Sequence, residues 1–218
     1  MTPGFSIQSF EGGYDKNFSY ILTCLKTMQS IIIDAALNPN ILKPHQKYTP
    51  SAILITHSHN DHVKYIKNYI NLYPSIKIVG HPKSKLNTGE DVYFPAFNNS
   101  IIKVGSLNIK IFHTPGHYFD SICYQVKNVI FTGDTMFVGR PGRTISNGSN
   151  VKDLYNSIYK IILVLPKDTI IYPGHNYGKE ATITIQENIE ISPLLQAKDK
   201  NDFESRMGDY EKNRLKGS

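Results

Sequence analysis

The chain has 218 residues, 40% of them hydrophobic and 19% charged, which suits one globular domain with a real core, or one domain with a small appendage. Fourteen tyrosines and ten phenylalanines supply aromatic volume without any tryptophan, and no stretch is long and apolar enough to span a membrane. The formal charge is +6 with a pI near 9.1. Lys64, Lys67, Lys77, Lys83 and Lys85 form a run without an acidic residue, which can attract anions or nucleic acid or simply solvate a helix face, so charge alone decides nothing.

Phe5 to Phe10 alternates apolar and polar residues and predicts a strand, not the apolar segment of a secretory leader. With Cys24 and Cys123 far apart in the chain, a reducing cytoplasm is the expected setting. Phe18–Cys24, Ser30–Asp34 and Ala52–Thr56 continue the strands, separated by Gly, Asn and Pro. From His62 to Tyr73 the period changes. Ile66, Tyr69, Ile70 and Tyr73 fall on one helical stripe that Pro74 ends. Ile76–Val79 is a short strand, and a loose stretch rich in Pro, Asn and Gly runs on to Ser100.

Strands resume at Leu107–His113, Ser121–Val126 and Val129–Thr132. Val151 to Leu165 predicts an amphipathic helix stopped by Pro166, and Thr169–Tyr172 one more strand. Thr184-x-x-Glu187 has capping-box spacing for a short helix. From Asp199 onward, Phe203, Met207 and Tyr210 predict a charged terminal helix that frays at Lys216-Gly217-Ser218. Strand-rich halves that each close with helices argue for a layered α/β or α+β domain.

The strand Ile53-Leu-Ile-Thr56 runs directly into His57-Ser-His59-Asn-Asp61-His62. In extended chain alternate side chains point the same way, so His57, His59 and Asp61 are expected to converge, with His62 turning in from the helix that it begins. Imidazole and carboxylate are ligands that zinc, iron and manganese accept, and packing does not explain three His and an Asp within six residues. Three further pieces share the context of a strand end. They are His113-Thr-Pro-Gly-His117, Ile130-Phe-Thr-Gly-Asp134 and Ile170-Ile-Tyr-Pro-Gly-His175. One sheet edge then gathers five His and two Asp, while His45, His81 and His113 fall outside the pattern and are expected to be structural.

The order H-x-H-x-D-H, P-G-H, T-G-D, P-G-H resembles the metallo-β-lactamase superfamily from the strand around Asn17-Phe18-Ser19-Tyr20 to at least Tyr177. The resemblance implies an αββα sandwich with metals at one edge of its two sheets, residues 1–178 forming the catalytic domain and 179–218 a helical extension of it. It assigns His57, His59 and His117 to a first metal and Asp61, His62 and His175 to a second, with Asp134 bridging and Asp34 supporting from a strand end. Two divalent ions are implied, zinc first, with iron or manganese as other candidates. Lactamases proper usually carry Cys where Asp134 stands, together with a secretory signal, so a β-lactamase is not expected.

Gly133-Asp-Thr-Met-Phe-Val-Gly-Arg-Pro-Gly-Arg143 and Tyr172-Pro-Gly-His-Asn-Tyr177 are similar to hydroxyacylglutathione hydrolases, the glyoxalase II group. That similarity implies hydrolysis of an acyl-glutathione or similar small-thiol thioester by a metal-bound hydroxide that Asp61 or Asp134 orients. Tyr177 and Arg143 would lie against the substrate, with Lys64–Lys85 or Arg206, Lys212 and Arg214 as sources of positive charge. Persulfide dioxygenases share the scaffold and similar stretches. They would use a single iron on His57, His117 and Asp134, so the choice between the two chemistries stays open at this point. His117-Tyr-Phe-Asp120 and Ile145-Ser-Asn-Gly depart from the patterns expected there. An RNA-processing nuclease of the superfamily would suit the pI, but no long basic insertion is available to hold RNA, so nucleic acid is not an expected partner. The sequence is silent on oligomeric state, on the acyl group and on the identity of the metal.

Overall fold

The computed structural model describes residues 4–13, 15–86 and 88–216. Its strands in chain order are β1 Phe5–Gly12, β2 Asn17–Cys24, β3 Ser30–Ile33, β4 Pro50–Leu54, β5 Lys77–Gly80, β6 Tyr93–Pro95, β7 Ile101–Val104, β8 Leu107–His113, β9 Ile122–Val126, β10 Val129–Gly133, β11 Met136–Phe137, β12 Arg140–Pro141, β13 Ile170–Pro173 and β14 Ile183–Thr184. The helices are α1 Pro39–Leu42, α2 Asn60–Val63, α3 Ile66–Leu72, α4 Val151–Ser157, α5 Ile185–Ile191 and α6 Lys200–Lys216. One sheet has the order β1-β2-β3-β4-β5-β6 and the other β14-β13-β10-β9-β8-β7, while β11 and β12 form a small ribbon.

The period-two side-chain pattern builds the layers. Ile31, Ile33 and Leu54 of the first sheet meet Ile109, Ile111, Tyr124 and Phe131 of the second in a core between the sheets. The alternate residues Ile21, Ile32 and Ile53 turn outward against Ile66 and Tyr69 of α3. On the far side, Cys123, Ile130 and Ile171 pack against Leu154, Ile158, Phe203 and Met207. Four layers result, helix–sheet–sheet–helix, the sandwich that the motif order implies. Ile31–Ile33 of β3 and Ala52–Leu54 of β4 are buried on both faces, which explains their apolar runs.

Several elements differ from expectation. The helix expected over His62–Tyr73 is two helices, α2 and α3, because the Tyr65 amide bonds the Ala35 carbonyl at 3.0 Å instead of continuing a helical ladder. The helix expected over Val151–Leu165 is α4 followed by a π-helical turn, Ile158–Ile162, closed by Leu163 N–H on the Ile158 carbonyl at 2.8 Å. The stretch read as loose contains β6, and β7 follows before Leu107. Both are short edge strands, one holding Pro95 where no sheet donor is needed. The capping box at Thr184 and Glu187 forms as its spacing predicts. Of the expected fraying tail, Gly217 and Ser218 lie outside the described residues. Among the described residues no helix is long and apolar enough to cross a membrane.

Candidate metal centre

Every candidate donor sits just beyond a strand end, where a turn aims it at the seam between the sheets. β4 ends at Leu54, and the chain crosses to α2 carrying His57 and His59. Asp34, just past β3 at φ +58, is buried and fixes this crossing through three bonds. It accepts the Thr56 amide at 2.7 Å, the Thr56 hydroxyl at 2.8 Å and His62 Nδ1 at 2.8 Å. His117 follows Gly116 at φ +140, where a Cβ would come within 2.3 Å of the Leu154 backbone, so only glycine fits. His175 follows Gly174, where a Cβ would stand 2.2 Å from Asp134 Oδ1, so the turn and the carboxylate need each other's space.

The seven donors form two groups. His59 Nδ1 lies 3.0 Å from both His57 Nε2 and His117 Nε2. Opposite them, His62 Nε2 and His175 Nε2 are 3.2 Å apart, and Asp61 Oδ2 is 3.5 Å from the first and 3.3 Å from the second. Asp134 stands between the groups, with Oδ1 at 3.2 Å from His62 Nε2 and Oδ2 at 3.5 Å from His117 Nε2 and 3.3 Å from His175 Nε2. The expectation that Asp61 shares a strand face with His57 and His59 is corrected here. The helix starts at Asn60, so Asp61 rotates to the opposite group.

These donors fit a pair of cations. The outer nitrogens are already spent. His117 Nδ1 donates to the Arg143 carbonyl at 2.9 Å, His175 Nδ1 to the Asp15 carbonyl at 2.8 Å, and His57 Nδ1 lies 3.2 Å from the Thr56 hydroxyl, whose own proton goes to Asp34. That leaves the inner nitrogens of neighbouring rings facing one another around the buried Asp134 carboxylate. Positive charge between them satisfies such an arrangement, which suits a metal cation.

Burial lowers the pKa of His57 and His117, and burial together with the neighbouring His117 pushes His59 down to about 4. The other group goes the opposite way. Burial opposes the charged form of His62, yet Asp134 and Asp34 lift its pKa well above normal. For His175 burial is likewise outweighed, and its pKa rises to about 9 through Asp134 and Asp61. Burial works against ionisation of Asp61 and Asp134 too, but the facing histidines hold both below the ordinary carboxylate range.

A cavity of about 300 Å³ opens over the donors and is walled by Asp15, Phe137, Arg140, Arg143, Ser146, Tyr177 and Arg214. Arg143 and Tyr177, expected against the substrate, both line this cavity. The Tyr177 ring lies parallel to His175 at 4.9 Å between centroids, and its hydroxyl donates to the Asp15 carboxylate. The Arg140 guanidinium lies over Tyr177 at 4.5 Å and over Phe137 at 5.0 Å. Sequence reasoning passed over Arg140 inside a stretch already noted, and Asp15, which no local spacing marks. Of the basic residues considered, Arg214 reaches the cavity. Arg206 pairs with Asp202 and the Pro193 carbonyl instead. Lys64, Lys67 and Lys85 line a different cavity beside Ser58 and Asn60. His81 and His113 stack on each other and His45 lies against Phe10, all away from the donors.

Comparison with known proteins identifies the family. A family model described as the metallo-beta-lactamase superfamily matches residues 18–175. A probable hydroxyacylglutathione hydrolase of Schizosaccharomyces pombe is 34% identical over 196 residues, spanning 84% of this chain and 74% of that protein. A hydroxyacylglutathione hydrolase of Buchnera aphidicola is 36% identical over 149 residues, 67% of this chain and 57% of that one. Among solved structures, ETHE1 from Myxococcus xanthus superposes with a TM-score of 0.81 at 25% identity, covering 94% of this chain and 91% of that chain.

Proposed function

The chain belongs to the metallo-beta-lactamase superfamily, and from that premise we propose that it is a glyoxalase II-like metallo-hydrolase that cleaves acyl-glutathione or similar small-thiol thioesters. The observation that carries this reading is the cavity itself. Seven metal-type donors lie at or beneath its floor, and beyond them its wall is mostly Phe137, Tyr177 and three arginines, which suits a small anionic thiol conjugate.

His57, His59 and His117 would hold one divalent cation, Asp61, His62 and His175 a second, with Asp134 shared, and zinc is the expected ion. When bound, such a pair supplies Lewis acidity that brings the pKa of water toward neutrality and polarises a carbonyl. The protein's own groups do the rest. Asp34 and the Arg143 and Asp15 carbonyls lock the imidazoles in one tautomer. Asp61, with its side chain 45% exposed, accepts a hydrogen bond from the attacking water, and Asp134 shares that orienting role. Arg140, Arg143 and Arg214 pair with the substrate's carboxylates, and the Tyr177 face covers its thiol side. A thiolate leaves without a general acid. The cytoplasm is the proposed setting, supported by Cys24 and Cys123 both being free.

The competing chemistry, a persulfide dioxygenase, would need one iron on His57, His117 and Asp134 alone. The hydroxyacylglutathione hydrolase relatives, at 34% and 36% identity, favour the two-cation hydrolase. Elemental analysis of protein purified without added metal, paired with two assays, decides between them. Near two equivalents of metal with loss of S-lactoylglutathione thioester absorbance is expected. One iron with oxygen uptake on glutathione persulfide would reverse the assignment.

A further inference from the structure

Resting on the two-cation reading, we infer that Asn17 is a positioning residue for the Asp61–His62–His175 group. Asn17 opens β2 and is 2% exposed. A buried primary amide must spend its N–H groups, and this one donates through Nδ2 to Asp61 Oδ2 at 2.9 Å, with His175 Nε2 3.4 Å away. Oδ2 is the oxygen that faces His62 and His175, so the amide grips the ligating atom directly. The acceptor also fixes the amide's orientation, because a flipped Asn17 would turn its own oxygen onto a carboxylate.

Asp61 needs this hold more than the other donors do. It rides on a four-residue helix, and its side chain is 45% exposed against 9% for Asp134. Among the described residues, Asn17 is its only hydrogen-bonding side chain apart from histidines. Asn17 is itself anchored to the opposite wall of the site. It forms an isolated β-bridge with His175, the Phe18 amide bonds the Gly174 carbonyl at 2.8 Å, and the Tyr20 hydroxyl bonds the Pro173 carbonyl at 2.6 Å. The same short segment therefore sets the spacing between two donors that come from different sheets, which fixes the pocket before any cation enters it.

The test is competition between metal-free protein and a chromophoric chelator for zinc, comparing wild type with Asn17→Leu, which keeps the volume and removes the donor. Asn17→Ala serves if the leucine variant fails to fold. The expected result is one equivalent bound as in wild type within about twofold and the other weakened about 10- to 100-fold. Asp61→Ala serves as the reference for a vacated second group, and histidine ring-proton NMR identifies which imidazoles respond. A second equivalent held as tightly as in wild type overturns the inference. So does equal weakening of both equivalents with a lowered thermal midpoint, since that marks a structural role. If wild type itself takes up no second equivalent, the two-cation reading fails whatever the variants do, and the inference falls with it.

Discussion

The two halves of the metal centre lie side by side yet are built on opposite electrostatic plans. His57, His59 and His117 form an all-nitrogen cup in which burial and mutual repulsion keep the rings neutral. Asp61, His62 and His175 form a carboxylate-backed cup in which Asp134, Asp34 and Asp61 draw protons onto the rings. The first is ready for a cation at neutral pH. The second favours the protonated rings, so a cation entering it would compete with protons and its affinity is expected to depend on pH. Identical side chains thus acquire different duties from the carboxylates behind them.

The most severe disturbance is to remove the group common to both plans. Asp134→Ala is expected to strip both equivalents and reduce turnover to background, a larger loss than the ~100-fold that follows removal of an outer partner. Metal analysis and thioester assay measure it, and retention of one tightly held equivalent would show that the halves are independent.

A milder test uses acidity alone. In the metal-free protein the folded pKa of His175, about 9, lies above its ordinary value of 6.5, so its stabilising contribution is complete below 6.5 and disappears as pH rises through 9. His59, at about 4, behaves oppositely: its contribution is complete above 6.5 and disappears as pH falls toward 4. Urea midpoints of the metal-free protein should therefore peak near the middle of this range, and zinc should flatten the alkaline limb. A monotonic profile would erase the distinction between the halves.

The smallest effect belongs to the cavity wall. Arg140→Ala removes a guanidinium from the cavity wall that is proposed to pair with a substrate carboxylate, and it is expected to raise KM for a glutathione thioester about threefold to tenfold (~0.7–1.4 kcal/mol) and to leave kcat nearly unchanged. Steady-state kinetics separate the two parameters, and a fall in kcat alone would move Arg140 from binding to chemistry.

What could be read in advance followed from local chemistry. Buried strands announce themselves by apolar runs ending in Pro-Gly or Gly-Asp, and His and Asp at those ends have no packing role. What could not be read depended on distant backbone. The break between α2 and α3 is caused by the Ala35 carbonyl, and the stripe of Ile66, Tyr69 and Ile70 carries no trace of it. The edge strands β6 and β7 escaped because half-exposed pairs show little hydrophobic contrast. Asn17 and Asp15 meet His175 across about 160 positions, beyond any spacing rule. The lysine run shows the limit of charge counting, since Lys64, Lys67 and Lys85 line a separate cavity and not the donor cavity that the arginines line.

The donors of each half come from both sheets: His57 and His59 from the first with His117 from the second, Asp61 and His62 from the first with His175 from the second. On the two-cation reading, each cation would be a clasp across the seam of the sandwich as well as a reagent. Because ligand that binds only the folded chain adds to its stability by mass action, the firmness of this seam rises and falls with the free metal around the protein. Metal supply would then act on the enzyme's lifetime as well as its rate, and limited proteolysis of metal-free against zinc-loaded protein reads that effect.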